Sequence, residues 1–471
     1  MKKIYLILLA SFFFLTSVRL LGQTIAVTDV PTTLCANESF TLSFTASGFT
    51  PGTGNVYSAF LSDQNGSFTN PTIIGTVTSS ALTDYIYVTI PANTFQSPTS
   101  KYRIRITSSS PVVTGADNGV DIVINCLTRD YYWTGGSGNW SDLTHWQVTT
   151  DGVTFSPATE MPTQYDNVNF DDQSFPSGGQ LTLDVAADCN DFEWEAGSGA
   201  SNPVLWSSSN SLNVYGDFEL DPGVYRDIRY IYFKTSKYNV TVNLADNLLQ
   251  KDPNTTWWQG GTLYFATSGS WDLESDVVAE NLQNYGGGTV NTADFNITLA
   301  FELYNVSGFN AGASTITLSR LSNYATPGNF DAGTSLFQLV IDKYNNMPGI
   351  NGSQTYNQVN IVSGICNIGS DNTFSSLQVL GGAGISLAGG TTQTITSILT
   401  LQGNSRSELA IVESQTPGTQ ATLYVAGANI DANYVSITDN ILDDGVAGTY
   451  QAFNALDGGN NSGWDFSNSP L

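Results

Sequence analysis

Between residues 24 and 127 apolar side chains recur at every second position. Phe40, Leu42 and Phe44 share one face of a strand, as do Ile86, Val88 and Ile90, then Tyr102, Ile104 and Ile106, then Val120, Ile122 and Ile124. Arg103 and Arg105 fall on the opposite side of theirs. A period of two is that of a half-buried strand. Asn65-Gly66 and Asn118-Gly119 are tight-turn dipeptides. Strands at this spacing, with no helical period, predict an antiparallel β-sandwich of immunoglobulin-like type over 24–127.

After residue 160 the pattern changes. Short apolar-x-apolar pairs stand between runs of Asn, Gly and Ser. Their first members are Leu181, Leu212, Val240, Leu263, Ile297, Ile316, Leu339, Val359, Leu377, Leu399, Leu423 and Val435. The eleven intervals average about 23 residues, the period of a solenoid with one short strand per repeat. The expected architecture over 161–471 is a right-handed parallel β-helix, a rod on the order of 50 Å long. The short interval from Leu423 to Val435 reads as two strands of one coil. The rival, a string of further small sandwiches, would need hairpin turns between most strands, and few occur.

Between the two regions, residues 128–160 hold the cassette Tyr132-Trp133-Thr134-Gly135-Gly136-Ser137-Gly138-Asn139-Trp140-Ser141-Asp142-Leu143-Thr144-His145-Trp146. Its indoles must be buried and its glycines let the chain bend around them, which suits an N-terminal cap. Phe453, Trp464 and Phe466 are placed to cap the other end. At the start, Lys2-Lys3 and the apolar run Ile4–Leu15 read as a secretory signal over 1–22, with Gly22-Gln23 as the expected cleavage point. No later run is long enough to cross a bilayer.

Charge narrows the function. The chain has 15 Lys and Arg against 41 Asp and Glu; without Lys2, Lys3 and Arg19 the balance is 12 against 41, or −29. Such a surface repels nucleic acid and anionic lipid. Of the four cysteines, Cys35 and Cys126 bracket the first region and are the expected disulfide, while Cys189 and Cys366 read as buried free thiols.

Several first-region words resemble an immunoglobulin-like module of surface proteins from gliding, type IX-secreting bacteria. They include Asn55-Val56-Tyr57, Leu61-Ser62-Asp63, Ile90-Pro91-Ala92, Tyr102-Arg103-Ile104-Arg105 and Ser109-Ser110-Pro111-Val112-Val113-Thr114-Gly115-Ala116-Asp117-Asn118-Gly119. The cassette, Asp166-Asn167-Val168 and the closing Asp457-Gly458-Gly459-Asn460-Asn461-Ser462-Gly463-Trp464-Asp465-Phe466 are similar to the ends of large β-helical adhesins of the same bacteria. The resemblance implies a spacer or adhesive protein rather than an enzyme.

Candidate chemistry is sparse. The sole histidine, His145, sits among indoles, and a structural role is expected. Calcium is the one cofactor considered, through Asp439, Asp443 and Asp444. The expected contact site for an extracellular glycan or cell-surface component is Arg226, Arg229, Tyr230, Tyr232 and Lys234, where cations and rings interleave, together with Trp257 and Trp258. The alternative is a β-helical glycoside hydrolase or polysaccharide lyase using a carboxylate pair, for which Asp171-Asp172 is one candidate. Scarcity of Lys and Arg counts against the lyase, and neighbours on a strand point to opposite faces.

Overall fold

The computed structural model describes residues 22–471 except 37, 92, 98, 126–127, 196–202, 246–260, 342–348, 426, 446–448, 468 and 470–471. The signal, Cys126, Trp257 and Trp258 lie outside the described residues. The chain divides into two compact units, Met1–Asn125 and Cys126–Leu471.

In the first unit, Thr24–Thr28, Ser39–Ser47 and Thr83–Thr89 form one antiparallel sheet. Thr72–Thr78, Val56–Leu61, Ile104–Ser109 and Val112–Asp117 form a second. The inward residues read from the alternation, among them Phe40, Leu42, Ile86, Ile104 and Ile122, close one buried core. Val120 does not join them: it follows the left-handed Gly119 and is 53% exposed. Arg103 faces outward and is clamped between Asp117 and Asp121.

The second unit is a β-solenoid of about twelve turns. One coil shows its plan. Thr289–Asn291 lies on a first face, the start of Ile297–Asn305 on a second and the end of that strand on a third. Gly308–Asn310 then stacks in parallel on Thr289–Asn291. On the third face Leu212, Ile231, Leu263, Leu282, Leu303, Leu321, Ile350, Ile368 and Leu387 form one buried column. Ile297, Ile316, Phe337, Val359, Leu377 and Leu399 form another on the second face. The pairs found in the sequence are therefore rungs, but drawn from all three faces. Leu423 and Val435 do belong to one coil, since their strands pair with different strands of the next, Asn440–Asp443 and Leu456–Asp457.

The indole cassette begins the stack. Asp130–Trp133 pairs in parallel with Asn167–Phe170, and on its other edge the antiparallel strands Trp146–Thr149 and Ser156–Pro157 cover it. Trp133, Trp140 and Trp146 are fully buried. His145 lies flat on Trp133 at 4.6 Å, and its Nδ1 is 2.6 Å from the Thr134 carbonyl. A carbonyl only accepts, so Nδ1 carries the proton. A Cβ on Gly138 would stand 2.6 Å from the imidazole, which is why glycine occupies that position. At the far end Trp464 is buried, its Nε1 donating to Asn440 Oδ1, and Phe466 packs on the core. Phe453, expected to cap with them, is 51% exposed.

Where the buried column is polar, it is polar in successive coils. Asn284 Nδ2 donates to Asn305 Oδ1 and Asn305 Nδ2 to Asn323 Oδ1, both at 3.0 Å and both buried. Within the row each amide satisfies the next, and the unpaired atoms fall at its two ends, Asn284 Oδ1 and Asn323 Nδ2. Replacing Asn305 by alanine should cost about 2–3 kcal/mol, because it orphans buried partners above and below. The same change at Asn310, in the exposed Asp272–Asn291–Asn310 row, should cost under about 1 kcal/mol. Urea unfolding of the two variants measures the difference; equal losses would mean that the buried row contributes nothing special.

Candidate functional site

The strand Tyr225–Phe233 carries most of the expected contact residues. Alternation turns Tyr225 and Asp227 outward and Arg226 inward. The partner strand Val204–Val214 bulges opposite Ile228 and Tyr230, and the chain bends there onto the third face. Beyond the bend Tyr230, Tyr232 and Lys234 face outward, with Arg229 exposed at the corner. The Arg229 guanidinium lies over the Tyr230 ring and the Lys234 ammonium over Tyr232, each 5.2 Å from the ring centre. Arg229 also faces the Glu280 carboxylate.

Arg226 is a correction to the sequence reading. It is 2% exposed, so it cannot touch a ligand on that surface. Its Nη2 donates to the Val278 carbonyl at 2.6 Å, while Nε and Nη1 have no partner. Desolvation lowers its pKa to about 10. A basic residue in a Tyr- and Arg-rich strand looks external by composition; parity along the strand places it with Ile228 instead.

The stacking of coils adds rings that the sequence reading missed. Tyr232 pairs in register with Tyr264, and their rings stack 4.4 Å apart at 8°. Tyr285 meets Tyr264 edge-on at 6.0 Å, and Tyr304 meets Tyr324 at 6.1 Å. These residues are far apart and unevenly spaced in sequence, so only the register brings them together.

A second feature is an open groove of about 780 Å³ at the corner that ends the first face. It is lined by Asp171, Asp172, Glu195, Glu219, Asp221 and Glu274. Asp171, Glu195, Asp221 and Glu274 each follow a first-face strand directly: Asn167–Phe170, Phe192–Trp194, Phe218–Leu220 and Ser270–Leu273. Stacking corners of like sequence stacks carboxylates. Asp171 and Asp172 sit in a turn rather than a strand, so both reach the groove. Just outside it, partial burial and then the neighbouring Glu195 and Glu219 raise the pKa of Glu193.

The calcium candidates do not converge. Asp439 accepts from Asn460 Nδ2 and from the Gly418 N–H, Asp443 from the Gly445 N–H, and Asp444 from the Tyr450 hydroxyl. Local donors thus use these carboxylates one by one. Among the described residues no three acidic, histidine or cysteine side chains are grouped to hold a metal ion. Also among them, no helix is long and apolar enough to cross a membrane.

In comparisons with known proteins, no family model matches this chain and no curated protein matches it.

Glu193 offers a direct test of the crowded acidic corner. A carboxyl whose folded pKa is raised binds its proton more tightly in the folded state. It therefore costs stability once pH rises through that pKa, and costs nothing below the unfolded value. Glu193→Gln should raise Tm at pH 7 and leave it unchanged near about pH 3. Thermal melts at both values check this, and an equal rise at both would show that charge is not the cause.

Proposed function

We propose that this chain is a non-enzymatic, secreted or cell-surface protein of structural or adhesive type, an immunoglobulin-like module followed by a right-handed β-helical rod. It belongs, on this reading, with the adhesin-like surface proteins of type IX-secreting bacteria, and it contacts an extracellular glycan or surface component through Arg229, Tyr230, Tyr232 and Lys234. The observation that carries the reading is this cluster of outward rings and cations on an otherwise acidic rod. Binding without turnover suits such a surface, since the cations lie on tyrosine rings rather than against a reactive group. A glycan array probed with the mature chain tests it; no binding to any glycan or bacterial or host surface would end it.

The acidic groove favours a second reading, a β-helical carbohydrate-active enzyme. Carboxylates gathered from neighbouring coils are the raw material of acid and base catalysis on a sugar. A panel of neutral and acidic polysaccharides, analysed for released products, separates the two. The adhesive reading expects no product. Product formation abolished by Glu195→Gln or Glu219→Gln would replace it with the enzyme.

Export also carries a prediction for the cysteines. Thr33–Leu34 pairs in parallel with Val123–Ile124, and the Asn125 N–H donates to Leu34 O, so Cys35 lies abreast of the residue preceding Cys126. We expect these two to form the disulfide. Cys189 and Cys366 are free and buried; burial pushes the Cys366 thiol up to about 12 and raises Cys189 as well. Alkylation of the native protein followed by non-reducing peptide mapping should find Cys35 joined to Cys126, and the other two unlabelled until the chain is denatured. Labelling of Cys35 in the native state would refute the bridge.

A further inference from the structure

On the third face the outward tyrosines form a longer feature than the expected patch. The register places two neighbouring outward positions in each coil. The first runs Asn213, Tyr232, Tyr264, Gln283, Tyr304 and Ser322. The second, two residues further along each strand, runs Tyr215, Lys234, Ala266, Tyr285, Val306 and Tyr324, each N–H donating to the inward residue of the coil below. Each of these six consecutive coils thus carries one tyrosine at one of the two positions: Tyr215, Tyr232, Tyr264, Tyr285, Tyr304 and Tyr324. At a rise of about 4.8 Å per coil, the row extends roughly 24 Å along the rod. Tyr285 and Tyr324 are 43% and 52% exposed.

We infer that this row is a binding track for a neutral polysaccharide chain lying along the solenoid axis. The inference rests on the glycan-binding reading above and names the class of glycan. Three observations select it. The row carries one ring per coil; Tyr232 and Tyr264 stack on each other, and the exposed rings Tyr285 and Tyr324 offer apolar surface that suits the C–H faces of sugar rings in an extended chain. Between the rings the half-buried Asn281 and Gln283 carry uncharged amides, matched to hydroxyls rather than to carboxylates, while Asn213 and Ser322 are buried. The charges beside the row are already engaged. Arg229 and Lys234 lie on tyrosine rings, Arg229 faces Glu280, and Glu302 pairs with Arg320 at 3.3 Å. A net charge of −26 disfavours an anionic chain over the same surface. Peptides fit less well, because the outward face presents no row of free backbone donors and acceptors; those are used between coils.

The test is calorimetric titration of the full chain with neutral hexasaccharides of β-1,4-linked glucose, mannose and xylose, with the corresponding trisaccharides, and with polygalacturonate. At least one neutral hexasaccharide should bind, more tightly than its trisaccharide and with little dependence on salt. Tyr285→Ala and Tyr324→Ala should each weaken that binding by about tenfold. Tyr285→Phe, which keeps the ring, should restore most of it. Both tyrosines are exposed, and matched melting curves confirm that each variant is folded. Tyr85→Ser, on the first unit, serves as a control that leaves binding unchanged. Binding of polygalacturonate alone would overturn the neutral class while leaving a glycan-binding protein. Hexasaccharide binding unmoved by both alanine variants would overturn the track and place the glycan elsewhere. If no saccharide binds, the track fails together with the reading beneath it.

Discussion

Parallel stacking in register is the constraint on which the solenoid depends. Successive strand residues hydrogen-bond alternately to the coil above and the coil below, which holds the strands in register, so each side chain sits on the side chain of the same position in the next coil. A column must therefore tolerate its own kind. Aliphatic residues stack through the third face from Leu212 to Leu387, and Phe233 stacks on Phe265. Asparagine follows asparagine from Asn284 to Asn323. A polar group inside such a column is satisfied best where a neighbour along the axis is polar too, as Asn305 is between Asn284 and Asn323. The ends lack a neighbour, which explains why the indoles and the antiparallel hairpin gather at the first coil and Trp464 at the last.

The same rule gives the acidic composition a structural role. At the corners, aspartates accept backbone N–H groups of the following coil. Asp217 takes that of Thr241, Asp276 that of Asn296, Asp294 that of Ala313, and Asp371 that of Thr392, all near 2.7 Å. A carboxylate accepting an amide hydrogen satisfies a donor that the strand ladder leaves free where the chain turns. Part of the negative surplus is thus mortar between coils. Where several such corners align, as at Asp171, Glu195, Asp221 and Glu274, the carboxylates line a common groove, Asp171 and Asp221 accepting N–H groups of their own turns.

The period of the rungs, their parallel stacking and the place of the cassette were legible in the sequence, because each is a local pattern repeated. Assignment of strands to faces was not. Insertions of unequal length separate Ile231 from Leu263 and Leu321 from Ile350, so the interval between apolar pairs does not reveal which face a pair occupies. Arg226 was misread for a related reason. Its strand bends at a bulge that exists only against its partner, and parity before the bend does not carry across it. The tyrosine row was invisible for the same cause: Tyr215, Tyr232, Tyr264, Tyr285, Tyr304 and Tyr324 have no common spacing, and they align only once the inward column is known.

That dependence bears on how such a rod acquires a binding surface. Stacking restricts inward positions severely and outward positions hardly at all, since an outward side chain need only avoid clashing with its neighbours along the axis. A residue type that gains from contact with itself therefore has a reason to recur outside, coil after coil. Tyrosine is such a type, because Tyr232 and Tyr264 contact ring to ring, and the aligned result is a continuous ridge rather than a pocket. A pocket requires the coils to differ, and the long insertions are where they do. A ridge requires only that they repeat, so an extended, repeating ligand is the natural complement of the regular part of the rod, whereas a compact substrate would have to seek the irregular corner where the carboxylates meet.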